Sequence, residues 1–506
     1  MIYYLKHNLH KLNWAMIGNV LGMVLIAQAC LMVLPVIVDL IYQEGLYDSY
    51  LIVIGICLVL GYALTRTRAK VNNYFAKDGM IAVGLAWIVV SFFGGLPFYL
   101  SGEIPSFVDC FFEAVSGFTT TGSSILTEVE NLKHATLFWR SFTHWIGGMG
   151  ILVFILAILP KSNDRDMHIM RAEAPGPTIG KLVPRMRQSA MILYTMYMGL
   201  TIIQVILLLI GKMPLFDALC NTFGSAGTGG FAIKNTSIGA YNNSYYEIII
   251  TIFMILFGVN FNMYYFLLIK DFKQVFFKNE ELRAYLGVIL FSIVCITINI
   301  LSMYNFDVLK SIRLASFQVG SIITTTGYSS CDYSVWPQFS KMILFLLTVC
   351  GASAGSTGGG VKISRLLIIV KKIKLDIQKL LHPQKVEAIT MDGKVVDTEI
   401  VNQIMAYFCS FIIIVGILLF LISFNNFDFE TTITSVITCI GNVGPGYGLC
   451  GPMGNFSMFS DFSKIVLSFA MLIGRLEIYP IIIFLAPVLG VRKVSKSFHK
   501  RKKRRI

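Results

Sequence analysis

Charged residues are scarce in this sequence of 506 residues: Asp, Glu, Lys and Arg make up 14% and hydrophobic residues make up 55%. With a mean hydropathy of +0.70, so much apolar surface cannot be enclosed in one soluble core. Apolar stretches near the length of about 20 residues that crosses a bilayer recur along the chain. The sequence therefore predicts an all-α integral membrane protein and argues against a soluble enzyme.

Several motifs are also missing. The ten cysteines contain no CxxC pair, which argues against a zinc site or a disulfide framework. Cys331 and Cys450 are the two expected in outer loops, and whether they pair stays open. No Gly-rich nucleotide loop occurs, so any nucleotide control has to come through a partner. No cluster of nucleophiles or acid and base residues indicates a membrane enzyme.

The apolar stretches predict ten membrane crossings. They are 14–42, 50–66, 79–100, 136–160, 188–211, 245–269, 284–304, 338–370, 400–424 and 463–490. Most of the 42 Lys and Arg residues fall in segments that this count places on one side, so the positive-inside rule puts both termini in the cytoplasm. The net charge of +14 is thereby attributed to topology and not to a nucleic acid, although the basic tail 492–506 could also bind anionic lipid or a partner.

A four-part repeat follows the first two crossings, and each unit contains a span, a shorter Thr- and Gly-rich stretch and a second span. The predicted units are the two-helix extension 1–70 and the repeats 71–187, 188–283, 284–394 and 395–506. The short stretches end at the near-regularly spaced glycines Gly122, Gly230, Gly327 and Gly444. About ten helical residues span roughly 15 Å, which is half a bilayer, so each stretch can enter the membrane but not cross it.

These stretches predict four re-entrant pore helices, in four M1-P-M2 repeats around one pore. Asp109 and Asp217 are expected to cap the first two short helices. Backbone carbonyls without helical partners are tolerated at membrane depth only where they line a watery path, and rings of them can replace the hydration shell of a monovalent cation. The alternative is that these segments are ordinary outer loops or close helix contacts.

The predicted potassium-filter residues are Thr120, Thr121, Gly122, Gly229, Gly230, Thr325, Thr326, Gly327, Asn442, Val443 and Gly444. The carbonyls predicted to bind K⁺ are those of Thr121, Gly122, Gly229, Gly230, Thr326, Gly327, Val443 and Gly444. Two adjacent glycines compete for the filter position in the second loop. Gly230 is preferred because Phe231 then aligns with Tyr328.

A second glycine-rich segment, 351–361, interrupts the eighth predicted span. Each glycine there costs about 1 kcal/mol of helix propensity relative to alanine, so a continuous helix is disfavoured. The segment predicts a mobile constriction, the alternative being a cytoplasmic turn between two shorter spans. The predicted gate residues are Gly351, Gly355, Gly358, Gly359, Gly360 and Arg475.

Two further polar residues lie inside predicted spans. Arg475 is expected to face the permeation path as an electrostatic barrier, or else to pair with Glu477 or nearby carbonyls. His144 could be a proton relay, but a single histidine near a span end is more often a hydrogen-bonded packing residue, which is the interpretation preferred here.

The loops Thr-Thr-Thr-Gly122, Gly-Gly230-Phe, Thr-Thr-Thr-Gly327-Tyr and Gly-Asn-Val-Gly444-Pro-Gly resemble the TrkH type within the Trk/Ktr/HKT superfamily of potassium and sodium transporters, over essentially the whole chain. The resemblance implies a filter formed by the four glycines, and Gly122 in place of a serine implies a preference for potassium with sodium leakage possible. It also implies an intramembrane gating loop, two extra helices before the repeats, and no cofactor beyond K⁺ as the transported ion.

The same resemblance implies a homodimer in the cell membrane, the bacterial inner membrane, in which each subunit has its own pore. A cytosolic TrkA-type nucleotide-binding regulatory subunit is the implied partner, with 161–187, 362–398 and the basic tail as docking surfaces. The main alternative function is symport with protons or sodium, which should show inverted halves and buried carboxylates at midplane, for which Glu477 is a candidate. The sequence leaves that coupling open.

Overall fold

The computed structural model describes residues 13–66, 76–150, 186–268, 278–384, 387–478 and 480. The described chain is mostly α-helical, as predicted. The helices are α1 Trp14–Leu31, α2 Val33–Tyr42, α3 Tyr47–Thr65, α4 Ala76–Leu100, α5 Phe107–Phe118, α6 His134–Met149, α7 Met186–Ile210, α8 Leu215–Gly227, α9 Ser244–Phe257, α10 Phe261–Leu268, α11 Glu280–Ile300, α12 Val308–Ile323, α13 Gln338–Cys350, α14 Ile363–Leu381, α15 Thr398–Ile422, α16 Phe429–Gly441 and α17 Asp461–Arg475. A short antiparallel hairpin, β1 Thr390–Met391 and β2 Lys394–Val395, lies between α14 and α15.

Six helical segments among the described residues are long and apolar enough to span a membrane, and α9 with α10 makes a seventh if the bent pair is one span. The six are Trp14–Tyr42, Tyr47–Thr65, Asp78–Leu100, Gln188–Ile210, Glu280–Tyr304 and Thr398–Asn425. Predicted spans 136–160 and 463–490 extend into residues outside the described ranges. The basic tail 492–506 lies entirely outside them. The total of ten crossings therefore stays a prediction.

The predicted crossing 245–269 does not form one straight helix, because α9 and α10 meet at an angle of 91°. Gly258 follows α9, and a Cβ atom there would clash with the Tyr285 hydroxyl, so the chain passes close to α11 at this point. The Asn260 side chain then accepts a hydrogen bond from the Asn262 N–H at 3.0 Å and starts the new helix. The interruption predicted at Gly351 is present, between α13 and α14.

The helix that follows each of the short helices α5, α8, α12 and α16 ends before it is long enough to cross a bilayer. The sequence suggested such a break in only one of these four helices. They are α6, α9, α13 and α17, and they end at Met149, Phe257, Cys350 and Arg475. Gly150 and Gly351, directly after α6 and α13, have φ of 82° and 72°. A glycine in a left-handed conformation ends a helix at little steric cost.

The short helices α5, α8, α12 and α16 lie in the protein core, but two of their predicted caps are wrong. The residue that precedes α5 is Ser106, whose hydroxyl accepts from the Asp109 N–H at 3.4 Å, and the residue before α8 is Pro214. Carboxylate caps do occur at the other two helices, where Asp307 precedes α12 and Asp428 precedes α16. Asp109 and Asp217 instead lie in the first helical turn, where a negative charge still favours the helix dipole.

Candidate functional site

The four short helices end with the same hydrogen bond. In each, a backbone N–H donates to the carbonyl five residues earlier, at 2.8 to 2.9 Å. The donor and acceptor pairs are Thr121 and Ser116, Gly229 and Gly224, Thr326 and Ser321, and Val443 and Thr438. The residue before each donor has positive φ: Thr120 at 55°, Thr228 at 54°, Thr325 at 60° and Asn442 at 53°. This is the Schellman cap, in which a left-handed residue follows the last helical turn.

Each cap is followed by a second left-handed residue, and this residue is always a glycine. Its φ is 82° at Gly122, 75° at Gly230, 84° at Gly327 and 97° at Gly444. Left-handed residues therefore alternate with ordinary ones along all four loops, a pattern that allows successive carbonyls to face the same side. Gly230, and not Gly229, has the positive φ, which supports the alignment chosen from the sequence.

The four glycines form a closed ring. A Cβ atom on any of them would lie 2.7 Å or less from a carbonyl oxygen of the neighbouring loop, which leaves no room for a side chain. Gly122 lies against Gly229, Gly230 against Thr326, Gly327 against Val443, and Gly444 against Thr121. The first loop thus contacts the second, the second the third, the third the fourth, and the fourth the first. All four glycines line a single cavity.

The threonine hydroxyls of these loops are engaged with each other. Thr121 Oγ1 lies 2.8 Å from Thr119 Oγ1 and accepts a hydrogen bond from Asn442 Nδ2 at 2.9 Å. Thr326 Oγ1 is paired in the same way with Thr324 Oγ1 at 2.7 Å. The hydroxyls of Thr121 and Thr326 thus take part in side-chain hydrogen bonds within and between the loops.

The glycine-rich segment 351–361 packs against the base of the ring. The Gly360 N–H donates to the Gly441 carbonyl at 3.0 Å, at the end of α16, and the Gly359 N–H donates to Thr325 Oγ1 at 2.6 Å. Thr325 and Gly441 both precede the ring glycines of their loops. The segment therefore lies on the side of the ring where the short helices end.

The five glycines predicted for the gate are each restricted, either by a positive φ or by close backbone neighbours. Gly351, Gly355 and Gly360 have φ of 72°, 72° and 76°. A Cβ atom on Gly358 would lie 2.8 Å from the Thr324 carbonyl oxygen, and one on Gly359 would lie 2.5 Å from that of Gly441. At Gly358 and Gly359, a residue with a side chain would have to push the segment away from the loops of the ring.

The Arg475 side chain ties this segment to a neighbouring helix. Its guanidinium donates to the carbonyl of Thr357 at 2.9 Å, and to the carbonyls of Gly147 and of Gly148, the latter at 2.8 Å. The proposed pairing with carbonyls is thereby present, and Glu477 instead forms an ion pair with Arg365. Arg475 thus connects segment 351–361 to the end of α6.

Comparison with known proteins identifies the family. Residues 50–496 match the family described as TrkH, cation transport protein. The Trk system potassium uptake protein TrkH of Salmonella typhimurium is 32% identical over 482 residues, which cover 94% of this chain and 99% of that protein. The chain belongs to the TrkH family.

Other relatives agree with this assignment. The Trk system potassium uptake protein TrkG of Escherichia coli is 30% identical over 452 residues, covering 89% of this chain and 93% of that protein. The crystal structure of the potassium transporter TrkH from Vibrio parahaemolyticus matches with a TM-score of 0.84 and 27% identity, covering 94% of this chain and 99% of that one. The predicted family is confirmed, and this TrkH-family chain is a multi-pass cation transporter and not an enzyme.

Sequence reasoning missed a buried ion pair in this TrkH-family protein. Arg140 and Glu113 have side chains 1% and 0% exposed, and they are 2.7 Å apart. The Glu113 carboxylate also accepts from the Ser124 hydroxyl at 2.9 Å and from the Ile125 N–H at 3.0 Å, just beyond the first ring glycine. The rule that flagged Arg475, a charge inside an apolar segment, would also have flagged Glu113 and Arg140.

The described residues show whether Cys331 pairs with Cys450 and whether side chains form a metal site. Cys331 and Cys450 are both free cysteines. No group of three or more His, Cys, Asp or Glu side chains in the described ranges could hold a metal ion.

Proposed function

We propose that this chain takes up potassium across the cell membrane through a channel-like pore, with the glycine ring as its selectivity filter. The closed contact order of Gly122, Gly230, Gly327 and Gly444 is the observation that carries this proposal. Four loops that meet in a ring, each with carbonyls turned to one side, can surround a dehydrated monovalent cation. The names of the relatives, which are potassium uptake proteins, support potassium as the ion.

The pore helices favour a cation at the same place. Each of α5, α8, α12 and α16 ends directly before the ring residues, so the negative ends of four helix dipoles point toward it. The carbonyls proposed to bind K⁺ are those of Thr121, Gly122, Gly229, Gly230, Thr326, Gly327, Val443 and Gly444. K⁺ is the transported ion in this proposal and no other metal is required.

Segment 351–361 is the proposed gate. Its hydrogen bonds to Thr325 and Gly441 support a position directly against the filter loops. Arg475 adds a positive charge at this level and is bonded to the segment at Thr357. In this arrangement the gate blocks the path when the hydrogen bonds are made, and the arginine adds an electrostatic barrier to cations.

Symport with protons or sodium is the alternative to a channel. The candidate carboxylate, Glu477, forms an ion pair with Arg365, which favours a structural role over proton exchange. Coupling is also not needed to drive uptake, because the membrane potential supplies about 2.3 kcal/mol per charge per 100 mV. A channel-like mechanism therefore accounts for inward transport with fewer requirements.

The proposed assembly is a homodimer in the bacterial inner membrane, with one pore per subunit and both termini in the cytoplasm. The relatives belong to a Trk system, and we propose a cytosolic TrkA-type nucleotide-binding subunit as the regulator. The distribution of Lys and Arg supports the orientation.

The test is flux of ⁸⁶Rb⁺ and ²²Na⁺ into liposomes that contain the purified protein, with Gly122→Ser as the variant. A serine side chain would overlap the neighbouring carbonyl, so the ratio of Rb⁺ to Na⁺ flux should fall. Gly199→Ser is the matched control, because a Cβ at Gly199 meets nothing within 4 Å. A wild-type protein without cation selectivity, or an unchanged ratio in Gly122→Ser, would contradict the filter.

A further inference from the structure

His144 lies between the first and second loops of the ring. Its Nδ1 is 2.8 Å from the carbonyl oxygen of Gly117 in pore helix α5, and its Nε2 accepts the backbone N–H of Phe231 at 3.1 Å. Phe231 directly follows Gly230. The side chain is completely buried, and a Cβ atom on Gly229 would overlap the imidazole ring.

These two bonds determine the tautomer of His144. A carbonyl oxygen can only accept and a backbone N–H can only donate, so Nδ1 carries the ring proton and Nε2 carries none. A neutral imidazole satisfies both groups at once. The arrangement does not need His144 to exchange a proton, which agrees with the packing interpretation made from the sequence.

A second side chain on the same face of α6 contacts the next residue of the same loop. Arg140 precedes His144 by one helical turn and donates to the Ala232 carbonyl at 3.3 Å. Its guanidinium also lies 4.2 Å from the ring centroid of Phe231, and its partner Glu113 is on α5. Helix α6 therefore holds two consecutive residues of the second loop while remaining bonded to the helix of the first.

We infer that His144 is a positioning residue of the filter, and that it sets the spacing between the first and second loops by joining Gly117 to Phe231. This inference rests on the proposed function of the ring. Because ring carbonyls discriminate ions by the size and stiffness of the cage they form, a change in this spacing alters K⁺ over Na⁺ selectivity before it abolishes transport. His144 itself does not touch the ion.

Three substitutions of His144 separate hydrogen bonding from mere packing. His144→Gln keeps one donor and one acceptor and reaches nearly as far as the imidazole, so it should retain the Rb⁺ to Na⁺ flux ratio of the wild type. His144→Leu keeps bulk but loses both bonds, and His144→Asn keeps both groups on a shorter chain. In the Leu and Asn variants the Rb⁺ to Na⁺ flux ratio should fall on the order of tenfold, because the Gly117 carbonyl or the Phe231 N–H is left buried without a partner.

Trp139→Phe is the matched control. Trp139 is also buried in α6, and its Nε1 donates to the Gly94 carbonyl of α4 at 2.9 Å, so this bond does not involve any of the four loops. This variant loses one buried hydrogen bond from the same helix and should keep the wild-type flux ratio.

The outcomes distinguish the inference from the proposed function. Equal Rb⁺ to Na⁺ flux ratios in the Gln and Asn variants would overturn the inference, whether both ratios match the wild type or both are lower. This comparison does not depend on whether the Leu variant folds. A lower ratio in Trp139→Phe of the same size would also overturn it, since helix packing would then suffice. A wild-type protein that conducts Rb⁺ and Na⁺ equally would refute the filter itself.

Discussion

The guanidinium of Arg475 donates a hydrogen bond to the carbonyl of Thr357 at 2.9 Å, and through Gly148 at 2.8 Å it also reaches the end of α6. One side chain from the last repeat thus holds a segment of the third repeat against a helix of the first. If segment 351–361 is the gate, as proposed, this bond has two consequences for an ion below the ring. It restrains the segment that would have to move, and it leaves a positive charge in its vicinity.

Replacement of Arg475 with methionine should increase the rate of ⁸⁶Rb⁺ uptake into liposomes. The variant loses both the restraint on Thr357 and the charge, and the two effects act in the same direction. Arg66→Met is the control, because Arg66 is exposed at the end of α3 and bonds to Tyr62 in its own helix. Slower or unchanged uptake by folded Arg475→Met protein would argue against the gate.

Alanine at Gly360 should lower the midpoint of thermal unfolding in detergent. Gly360 has φ of 76°, and a Cβ atom there would lie 2.6 Å from the Gly351 Cα. A residue other than glycine held in such a conformation lowers the free energy of unfolding by about 1–3 kcal/mol. Gly416→Ala in α15 is the control: a Cβ there meets nothing within 4 Å, and alanine is favoured in a helix by about 1 kcal/mol. Equal midpoints for the two variants would contradict this prediction.

The buried pair of Glu113 and Arg140 should behave as one unit in a double-mutant cycle. Glu113→Gln or Arg140→Met leaves one buried charge without its partner, which typically destabilises by about 3–5 kcal/mol. The double variant removes both charges, so its loss of stability should be much smaller than the sum of the two single losses. Additive losses, measured by thermal unfolding of the detergent-solubilised protein, would mean that the pair does not interact.

Acid should weaken the cap of the fourth pore helix. The pKa of the Asp428 carboxyl lies below its ordinary value, because the Thr431 hydroxyl and the Thr431 backbone N–H donate to it. A depressed folded pKa gives stability that is present above the unfolded value, about pH 4, and is lost as the pH falls through the folded value. Thermal unfolding between pH 6 and pH 3 should therefore depend less on pH in Asp428→Asn. A curve parallel to the wild type would count against this cap.

The broad architecture could be predicted from sequence because membrane spans and glycine-rich breaks have strong local signals. The apolar stretches indicated helices, and the glycines after residue 350 indicated the gap between α13 and α14, which the structure has. The break after Phe257 was missed because a single glycine, Gly258, gives little warning within a long apolar stretch. The bend depends on the close approach of Tyr285, which lies in another helix.

The glycine positions of the candidate site were also accessible from sequence, but the side chains around them were not. A repeated glycine after a polar stretch marks a backbone requirement that one sequence can reveal. The bonds of His144 to Gly117 and Phe231, by contrast, join residues 27 and 87 positions away. No local pattern encodes such contacts. The predicted caps at Asp109 and Asp217 are wrong because each helix begins two residues before the aspartate, directly after Ser106 and Pro214.

The left-handed cap residue is threonine in three loops and asparagine in the fourth. A pore made from four identical subunits could not have this difference, because one codon would determine the cap residue of all four loops. Here each loop has its own codon, so mutation can alter one side of the opening while the remaining three stay unchanged. If the ring is the filter, as proposed, ion preference can therefore change in small steps during evolution, and an asymmetric pore is an expected product of a single gene.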